Sequence, residues 1–452
     1  MSLVEKFRKN EICSFPFYDL TRSGIYRKYL KFFESSADWS NTEIDKWQFQ
    51  KTYEIVKYAY QHVPFYKKYY DENNVDIEKI NNWNDFEKLP CIDKEMVKKN
   101  GELLYSDEYK KIPCRFDYTG GSTGQPMKFL VDEDLYQRED AIYRYYWRSL
   151  GFDVGSKCVV LRGRKIFTEK NHKVYEFNQF WNYMYLDSSY LNDEYFELYD
   201  KAIRNYRAKN IQAYPSSIIL LARLYEQNGI KAPKFERIIL SSENVSETDI
   251  GYLKRVFQCH CIYNQYGHSE KAVIALQLPD GKSLAFDPFY GYFELLNDEN
   301  NNIVSPDILG EITATGFNKS MPLIRYRTSD MAYLSDETSS SYMKYWKKIS
   351  GIEGRLQEFI YTKSGRAVSV CTVGGAHISE LNSILDMQYE QLEKGKLIID
   401  VLAKGTLDDQ IKKQISKEYE ELFNGDITCD VKQVDRIKRT SRDKKIMLIT
   451  NL

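Results

Sequence analysis

The spacing of apolar residues predicts a helical N-terminal region followed by a mixed α/β region. Phe49, Tyr53, Val56 and Tyr60 recur at helical intervals. This helix should end just before Pro64, because proline disfavours the helical conformation in the residue that precedes it. From about residue 110, short β-branched runs alternate with amphipathic helices, which is typical of an α/β sheet. The clearest runs are Cys158–Leu161, Ile238–Leu240 and Cys261–Tyr263.

Residues 237–267 are predicted to form a strand, a helix and a second strand. Arg237–Leu240 has the pattern of a buried strand, and Ser246 followed by Asp249 resembles a capping box that begins a helix. Strands joined by a crossover helix run parallel. The segments that follow the two strands, Ser241–Glu243 and Tyr266–Glu270, therefore lie at carboxyl ends, where open α/β sheets bind ligands.

Beyond about residue 356 the pattern predicts a separate, small α+β unit. Its apolar positions indicate a strand, a helix and a strand: Leu397–Leu402, then Ile411, Ile415 and Leu422, then Ile427–Val431. The length of 452 residues exceeds what one hydrophobic core usually supports. The sequence thus predicts a large N-terminal α/β domain at residues 1–356 and a small C-terminal α+β domain at residues 357–452.

Composition excludes several classes of function. Lys and Arg total 64 and Asp and Glu total 65, so the net charge of −1 gives no bulk attraction to nucleic acid. No apolar run approaches the ~18–20 residues that a membrane span needs. The first residues lack the apolar core of a signal peptide, and the scattered cysteines are typical of reduced thiols. We therefore expect a cytoplasmic protein.

Cys259-His260-Cys261 is a candidate zinc site. A structural zinc site needs four ligands, and no CxxC or HxxxH cluster elsewhere in the sequence completes the set. Alternation along a strand is the competing interpretation, and the sequence leaves both open.

Thr119-Gly120-Gly121-Ser122-Thr123-Gly124-Gln125-Pro126 is the most distinctive segment of the chain. Glycines among hydroxyl residues offer backbone N–H groups and hydroxyls, which suits the binding of phosphates. The order of residues is not that of a Walker A loop. Gly281-Lys282-Ser283 lacks the leading glycine of such a loop, and Asp280-Gly281 favours a hairpin turn there.

The segment Thr119–Pro126 and four motifs further along the chain resemble those of the adenylate-forming superfamily, which includes acyl-CoA synthetases. The segment at 119–126 resembles its TSGSTGxP loop, and four further matches follow in the expected order. They are Tyr266-Gly267-His268-Ser269-Glu270 (YGxTE), Gly310-Glu311-Ile312 with Arg325-Tyr326-Arg327-Thr328-Ser329-Asp330 (GEI and YRTGD), Gly354-Arg355-Leu356-Gln357-Glu358 (GRxxD) and Arg439-Thr440-Ser441-Arg442-Asp443-Lys444 (RTxxGK). Ser329, Glu358 and Asp443 depart from the pattern.

Within the superfamily the chain is most similar to the phenylacetate–CoA ligase branch, and more narrowly to CapK-like proteins associated with capsular polysaccharide synthesis. Three segments carry this resemblance: His62-Val63-Pro64-Phe65-Tyr66, Tyr214-Pro215-Ser216-Ser217 and Met321-Pro322-Leu323-Ile324-Arg325-Tyr326.

The resemblance implies binding of ATP and Mg²⁺. Thr119, Ser122, Thr123 and Gly124 would contact the phosphates, and Glu270 would hold Mg²⁺. Asp330 would bind the ribose hydroxyls, and Arg355 would bind near the ribose and phosphate. Glu243 and Tyr266 would border the adenine, with Gly267 and Ser269 in the same motif.

Two residues are candidate catalytic groups. Lys444 would stabilise the charge that builds on the α-phosphate, although Asp443 in place of glycine leaves Lys445 as an alternative. His268 could orient a polar group of the substrate or act as a base, and a packed histidine is the competing interpretation. In the superfamily the C-terminal domain rotates about the GRxxD hinge.

The implied function is activation of a carboxylate as acyl-AMP, followed by transfer to an amine or thiol acceptor. The CapK-like resemblance points to surface-polysaccharide biosynthesis. The phenylacetate–CoA ligase resemblance instead points to an aryl acid with coenzyme A as co-substrate. An enzyme that adenylylates a hydroxyl, or a non-catalytic nucleotide-binding scaffold, are further alternatives.

Overall fold

The computed structural model of the chain describes residues 23–118, 127–153, 155–166, 173–179, 181–355, 359–370, 383–440, 444–450 and 452. The predicted phosphate loop, with Thr119, Ser122, Thr123 and Gly124, lies outside the described residues. Glu358 of the predicted hinge and residues 441–443 also lie outside them. The backbone of Arg355 is described and its side chain is not.

Most helices of the described chain precede the sheet or cross over between its strands. They are α1 (Gly24–Ser36), α2 (Asn41–His62), α3 (Pro64–Glu72), α4 (Trp83–Phe86), α5 (Lys94–Asn100), α6 (Glu133–Ser149), α7 (Phe196–Tyr206), α8 (Pro215–Gln227), α9 (Glu247–Val256) and α10 (Asp409–Leu422). Among the described residues, no helix combines the length and apolar character that a membrane span requires.

A twelve-stranded sheet organises the larger part of the molecule. Its strands are β3 (Cys158–Arg164), β4 (Tyr175–Asn178), β5 (Tyr183–Asp187), β6 (Asn210–Ala213), β7 (Arg237–Ser241), β8 (Cys261–Gly267), β9 (Ile274–Gln277), β10 (Leu284–Phe286), β11 (Gly291–Leu296), β12 (Gly310–Gly316), β13 (Tyr326–Leu334) and β14 (Lys348–Arg355). Their order in the sheet is β11-β12-β13-β14-β10-β9-β8-β7-β6-β3-β5-β4. Neighbours among β5, β3, β6, β7 and β8 pair in parallel. On the other side of the sheet, neighbours among β9, β10, β14, β13, β12 and β11 pair antiparallel.

Three smaller sheets complete the described strands. β1 (Cys114–Tyr118) pairs with β2 (Lys128–Asp132), and β15 (Phe359–Tyr361) pairs with β16 (Ala367–Ser369). The last sheet joins β17 (Ile384–Glu393), β18 (Lys396–Ala403), β19 (Thr428–Gln433) and β20 (Leu448–Thr450) in the order β19-β18-β17-β20.

The predicted strand–helix–strand unit at 237–267 is confirmed. β7 and β8 pair in parallel, with Leu240 opposite Asn264. α9 begins where the pattern placed it, because the hydroxyl of Ser246 accepts the backbone N–H of Asp249 at 3.0 Å. The carboxyl ends of both strands thus lie at one edge of the sheet.

The predicted end of a helix before Pro64 and the predicted hairpin turn at Asp280-Gly281 are also confirmed. α2 ends at His62, and Pro64 then occupies the first position of α3, where its missing N–H costs nothing. β9 and β10 pair antiparallel on either side of Asp280-Gly281, so that segment is the turn of a hairpin.

The C-terminal segment has a core of its own. α10 packs its apolar stripe, which includes Ile415 and Tyr419, against the sheet of β17 to β20, and this core also contains Ile360. The fold is therefore α/β with a smaller C-terminal α+β unit, as predicted. The division after residue 356 stays a prediction.

A buried ion pair anchors the N-terminal helices to the sheet. Nε and Nη2 of Arg325 donate to the two carboxylate oxygens of Glu294 on β11, at 3.1 and 2.9 Å. Nη1 of Arg325 donates to the backbone carbonyls of Leu89, at 2.5 Å, and Glu87. The side chains of Arg325 and Glu294 are 2% and 0% exposed. One guanidinium thus joins the loop after α4 to β11 and to the residue that precedes β13.

The segments His62–Tyr66 and Met321–Tyr326 meet at the same place. The backbone N–H of Ile324 donates to the hydroxyl of Tyr66 at 2.8 Å. The N–H of Ile92 donates to the carbonyl of Arg325 at 3.1 Å, and the N–H of Arg327 donates back to the carbonyl of Ile92 at 2.8 Å. The N-terminal helices therefore fix the start of β13.

We predict that Glu294→Gln lowers the free energy of unfolding of the larger unit by about 3–5 kcal/mol, because it leaves the Arg325 charge buried and unpaired. Urea unfolding followed by tryptophan fluorescence measures this, since all six tryptophans precede residue 347. As a matched control, Glu54→Gln breaks an ion pair with Lys51 whose members are 48% and 40% exposed, and it should hardly move the midpoint. Equal small effects of both substitutions would contradict the anchoring role.

Candidate active site

Residues of three sequence motifs, at the ends of β6, β7 and β8, lie along one edge of the sheet. Tyr214 follows β6, Glu243 follows β7, and Tyr266 and Gly267 end β8. These strands are neighbours in register, with Gln212 level with Ile239 and Ser241 level with Gln265. The carboxyl edge of the parallel strands is therefore where the motifs converge.

Tyr266 connects this edge to β13. Its hydroxyl donates to Oδ2 of Asp330 at 2.7 Å. Burial of the ring raises the pKa of Tyr266 well above its usual value, and the neighbouring Asp330 carboxylate raises it further. Tyr266 is therefore a permanent donor that holds the Asp330 carboxylate in one orientation.

The backbone around Asp330 has an unusual conformation. Ser329 has a φ of +66°, a left-handed conformation that favours glycine and is uncommon for serine. The N–H of Ser329 donates to Oε1 of Glu311 at 2.7 Å, and the N–H of Asp330 donates to Oγ1 of Thr328 at 3.1 Å. Ser329 thus keeps the conformation that the glycine of YRTGD can adopt without strain. Asp330 also lies opposite Arg355 in the β13–β14 pair.

His268 and Glu270 form a compact group after β8. Nδ1 of His268 lies 3.3 Å from Oε2 of Glu270, although neither ring nitrogen makes a well-directed hydrogen bond to the described residues. The two side chains are 7% and 13% exposed. The hydroxyl of Tyr326 lies 3.5 Å from Oε1 of Glu270, and Ser269 lies half-buried between His268 and Glu270.

Glu270 suits a hard divalent cation by its donor chemistry. Mg²⁺ prefers carboxylate oxygen and is usually bound by one or two carboxylates together with substrate phosphates and water. Among the described residues, no group of three or more His, Cys, Asp or Glu side chains could hold a metal by itself. A single carboxylate at the carboxyl edge of the sheet fits a cation that arrives with a phosphate substrate.

Glu243 makes contacts in both units of the chain. Its carboxylate accepts the backbone N–H of Ser216 at 2.9 Å and the Ser216 hydroxyl at 3.1 Å, which fixes it against the start of α8. Its Oε1 also accepts the backbone N–H of Lys445 at 3.0 Å. The same carboxylate therefore connects the large sheet to the C-terminal segment.

The two adjacent lysines have different surroundings. Nζ of Lys445 donates to Oδ1 of Asp386 on β17 at 2.6 Å, and the two side chains are 11% and 10% exposed. Burial would raise the pKa of Asp386, but the Lys445 ammonium and the nearby Arg223 guanidinium outweigh it and lower that pKa. Nζ of Lys444 instead lies 5.8 Å from the ring centroid of Tyr214, at the edge of the large sheet.

The Cys259-His260-Cys261 segment lies at the start of β8, away from the carboxyl edge. Cys259 is buried and Cys261 is exposed. Burial raises the pKa of the Cys259 thiol to about 11, and among the described residues this segment belongs to no group of three or more His, Cys, Asp or Glu side chains that could hold a metal.

Asp386 and Ser216 contact site residues, and the sequence alone did not predict a role for either of them. Asp386 interrupts an apolar strand, and a buried charge in such a position is a signal for an ion pair. Its partner could not be deduced, because Lys445 lies 59 residues further along the chain. Ser216 was part of a motif, but only the fold reveals that it binds Glu243.

Comparisons with known proteins agree with the motifs. The chain is 25% identical over 416 residues to protein CapK of Staphylococcus aureus, covering 91% of this chain and 89% of that protein. It is 24% identical over 322 residues to phenylacetate–coenzyme A ligase of Escherichia coli, covering 68% and 71%. No protein-family model matches the chain.

Among solved structures, the fold is similar to that of 2-hydroxyisobutyryl-CoA ligase in its postadenylation state in complex with R3-HIB-AMP. The TM-score is 0.71 at 14% identity, and the match covers 91% of this chain and 90% of the other. The ordered motifs, the relatives and this fold agree with one another. The chain is thus similar to the adenylate-forming superfamily of ligases, and within it to CapK and phenylacetate–coenzyme A ligase.

Proposed function

We propose that this protein uses ATP to activate a carboxylic acid as an acyl-adenylate and then transfers the acyl group to an amine or thiol. The observation that carries the proposal is the position of Lys444. Its ammonium comes from the C-terminal unit and lies 5.8 Å from Tyr214, next to the edge where Glu243, Glu270 and Asp330 converge. A cation at the nucleotide site is what the first half-reaction needs.

In the first half-reaction a carboxylate oxygen of the acid attacks the α-phosphorus of ATP. A new bond forms between that oxygen and phosphorus, the bond from the α-phosphorus to the bridging oxygen breaks, and pyrophosphate leaves with the bonding electrons. Negative charge increases around the α-phosphate in the transition state. The ammonium of Lys444 stabilises that charge.

The large unit positions the nucleotide. Asp330, oriented by Tyr266 at 2.7 Å, accepts hydrogen bonds from the ribose hydroxyls, while Glu243 and Tyr266 border the base and Arg355 binds near the ribose and phosphate. Thr119, Ser122, Thr123 and Gly124 contact the phosphates. Glu270 holds Mg²⁺, which neutralises phosphate charge when it is bound.

Lys444, rather than Lys445, is the catalytic lysine in this proposal. Lys445 is committed to Asp386 in a buried pair inside the C-terminal unit, and its backbone N–H binds Glu243. These two contacts fix the segment so that the neighbouring side chain, Lys444, faces Tyr214. The hinge near residue 356 then lets the C-terminal domain, residues 357–452, turn away for the second half-reaction.

The acceptor is an amine or a thiol, in surface-polysaccharide or related biosynthesis. Similarity to CapK supports the polysaccharide context, and similarity to phenylacetate–coenzyme A ligase supports coenzyme A as the alternative acceptor with an aryl acid. Pyrophosphate release measured across a panel of carboxylic acids tests the proposal. Mass spectrometry of the products formed with added amines or coenzyme A then identifies the acceptor, and no acid-dependent release with any acid would overturn the proposal.

Glu270→Gln should abolish Mg²⁺-dependent pyrophosphate release and leave the fold intact, because it removes the charge and keeps the shape. Titration of Mg²⁺ in the release assay, with circular dichroism as the fold check, measures this. Normal release by the folded variant would exclude Glu270 as the metal ligand.

Asp330→Ala should weaken ATP binding roughly tenfold or more, since a hydrogen bond to a charged acceptor contributes about 1.5–3 kcal/mol. Calorimetric titration with ATP gives the dissociation constant. Tyr266→Phe is the matched control: it removes the 2.7 Å contact to Asp330 but keeps the carboxylate, so its loss should be smaller. Unchanged ATP affinity in Asp330→Ala would make this residue structural.

Lys444→Ala should slow acyl-adenylate formation by roughly 10²- to 10³-fold with little effect on ATP binding, because its contact strengthens only in the transition state. Acyl transfer started from synthetic acyl-adenylate should be nearly unaffected. Rapid-quench measurement of each half-reaction separates these effects.

Lys445→Ala is the matched comparison at the neighbouring position. It leaves Asp386 buried without its cation, so it should lower the melting temperature of the C-terminal unit. Adenylation lost in a stable Lys445→Ala protein and retained in Lys444→Ala would move the catalytic assignment by one residue.

A further inference from the structure

The face of the sheet that is directed at α6 is polar at its carboxyl end. Strand register places four side chains on this face, level with one another. Val160 pairs with Gln212, and Ser241 pairs with Gln265, while the N–H of Tyr214 donates to the carbonyl of Leu161 at 3.0 Å. Successive side chains alternate between faces. The row therefore consists of Arg162, Tyr214, Ser241 and Gln265.

Polar groups continue on both sides of this row. Below it, the hydroxyl of Tyr183 accepts Nη1 of Arg144 at 3.1 Å and lies 3.5 Å from Nε2 of Gln212. Above it, the hydroxyl of Tyr143 on α6 approaches Gly267 so closely that a Cβ there would be 3.4 Å away. The carboxyl end of this face, next to the candidate site, thus carries hydrogen-bonding groups.

Several of these groups have no partner among the described residues. Nε2 of Gln265, a residue that is 5% exposed, and both ring nitrogens of His268 make no hydrogen bond there. The guanidinium of Arg162 forms no ion pair with a described carboxylate, and it lies 5.8 Å from the ring of Tyr214. Polar atoms without partners are costly where they are buried, as those of Gln265 and His268 are, whereas Arg162 is half-buried. Their concentration beside the reaction site indicates a polar ligand.

Resting on the function proposed above, we infer that the acid activated by this protein is a hydroxylated, strongly polar carboxylic acid, whose body lies between α6 and the sheet and accepts hydrogen bonds from Arg162, Gln265 and His268. An apolar aryl acid would remove water from these groups and form no hydrogen bonds with them. Its binding therefore carries an uncompensated free-energy cost of desolvation, and the enzyme discriminates against it. Arg162 is the specificity-determining cation of this site. It lies inside β3 after an apolar run, so the sequence alone gave no sign of its position beside Tyr214.

A matched pair of acids tests this inference. Glucuronate and cyclohexanecarboxylate both carry a carboxylate on a six-membered ring, but only the first has hydroxyl groups. We expect kcat/KM for acid-dependent pyrophosphate release to be at least about tenfold higher with glucuronate than with cyclohexanecarboxylate or phenylacetate. Gluconate and hexanoate provide an open-chain pair with the same contrast.

Two substitutions test the residues. Arg162→Met and Gln265→Leu remove polar groups with little change in size, and each should lower kcat/KM for the hydroxylated acid about tenfold or more, with less than about twofold change for the apolar acid. Arg164→Met, two residues further along β3 at a position where the arginine pairs with Glu176, should change neither. Circular dichroism and melting temperature confirm that each variant is folded.

The outcomes separate this inference from the proposed function. A wild-type preference for the apolar acids overturns the inference and leaves the acyl-adenylate chemistry standing. Equal losses for both acids in Arg162→Met also overturn it, because Arg162 would then act on the shared carboxylate or the phosphates. Absence of pyrophosphate release with every acid overturns the proposed function, and this inference with it.

Discussion

The buried pair between Arg325 and Glu294 is the constraint on which the site depends. Arg325 makes two bonds to Glu294, at 3.1 and 2.9 Å, and its remaining donors reach carbonyls in the loop after α4. A buried ion pair of this kind does not have to add stability over an apolar core, but neither member can be lost without leaving a buried charge. Because β13 starts at the next residue, Tyr326, the pair fixes the strand that carries Asp330.

Short hydrogen bonds join β13 to the other elements of the site. Asp330 is held by Tyr266 at 2.7 Å, which couples β13 to the end of β8. Glu243 then couples β7 to α8 through Ser216 and to the C-terminal unit through the N–H of Lys445. Each contact joins separate elements of the chain, so the arrangement forms only in the folded protein. Preorganisation of this kind is what lets a single ammonium group act on transition-state charge.

Much of the fold could be predicted from the sequence, because local patterns determine local elements. The strand at 237–240, the helix start at Ser246 and the α+β character after residue 356 follow from periodicity and capping chemistry, and the structure has them. The motifs also placed Glu243 and Tyr266 at the carboxyl ends of neighbouring parallel strands, and the structure has them there. The sequence left Lys444 and Lys445 as alternatives, and the ion pair between Lys445 and Asp386, which supports Lys444 in our proposal, joins residues too far apart in the chain to be predicted. The polar row of Arg162 and Gln265 was likewise hidden, because strand register, not residue spacing, aligns these two positions.

The central claim is that a carboxylate oxygen of the substrate attacks the α-phosphorus of ATP. An isotope experiment tests it most directly: the accepted acid is labelled with ¹⁸O in its carboxylate, turned over with ATP and the acceptor, and the AMP is analysed by mass spectrometry. AMP should gain one ¹⁸O atom per turnover, because the oxygen that attacked phosphorus stays with AMP when the acyl group leaves. AMP without the label would contradict acyl-adenylate formation.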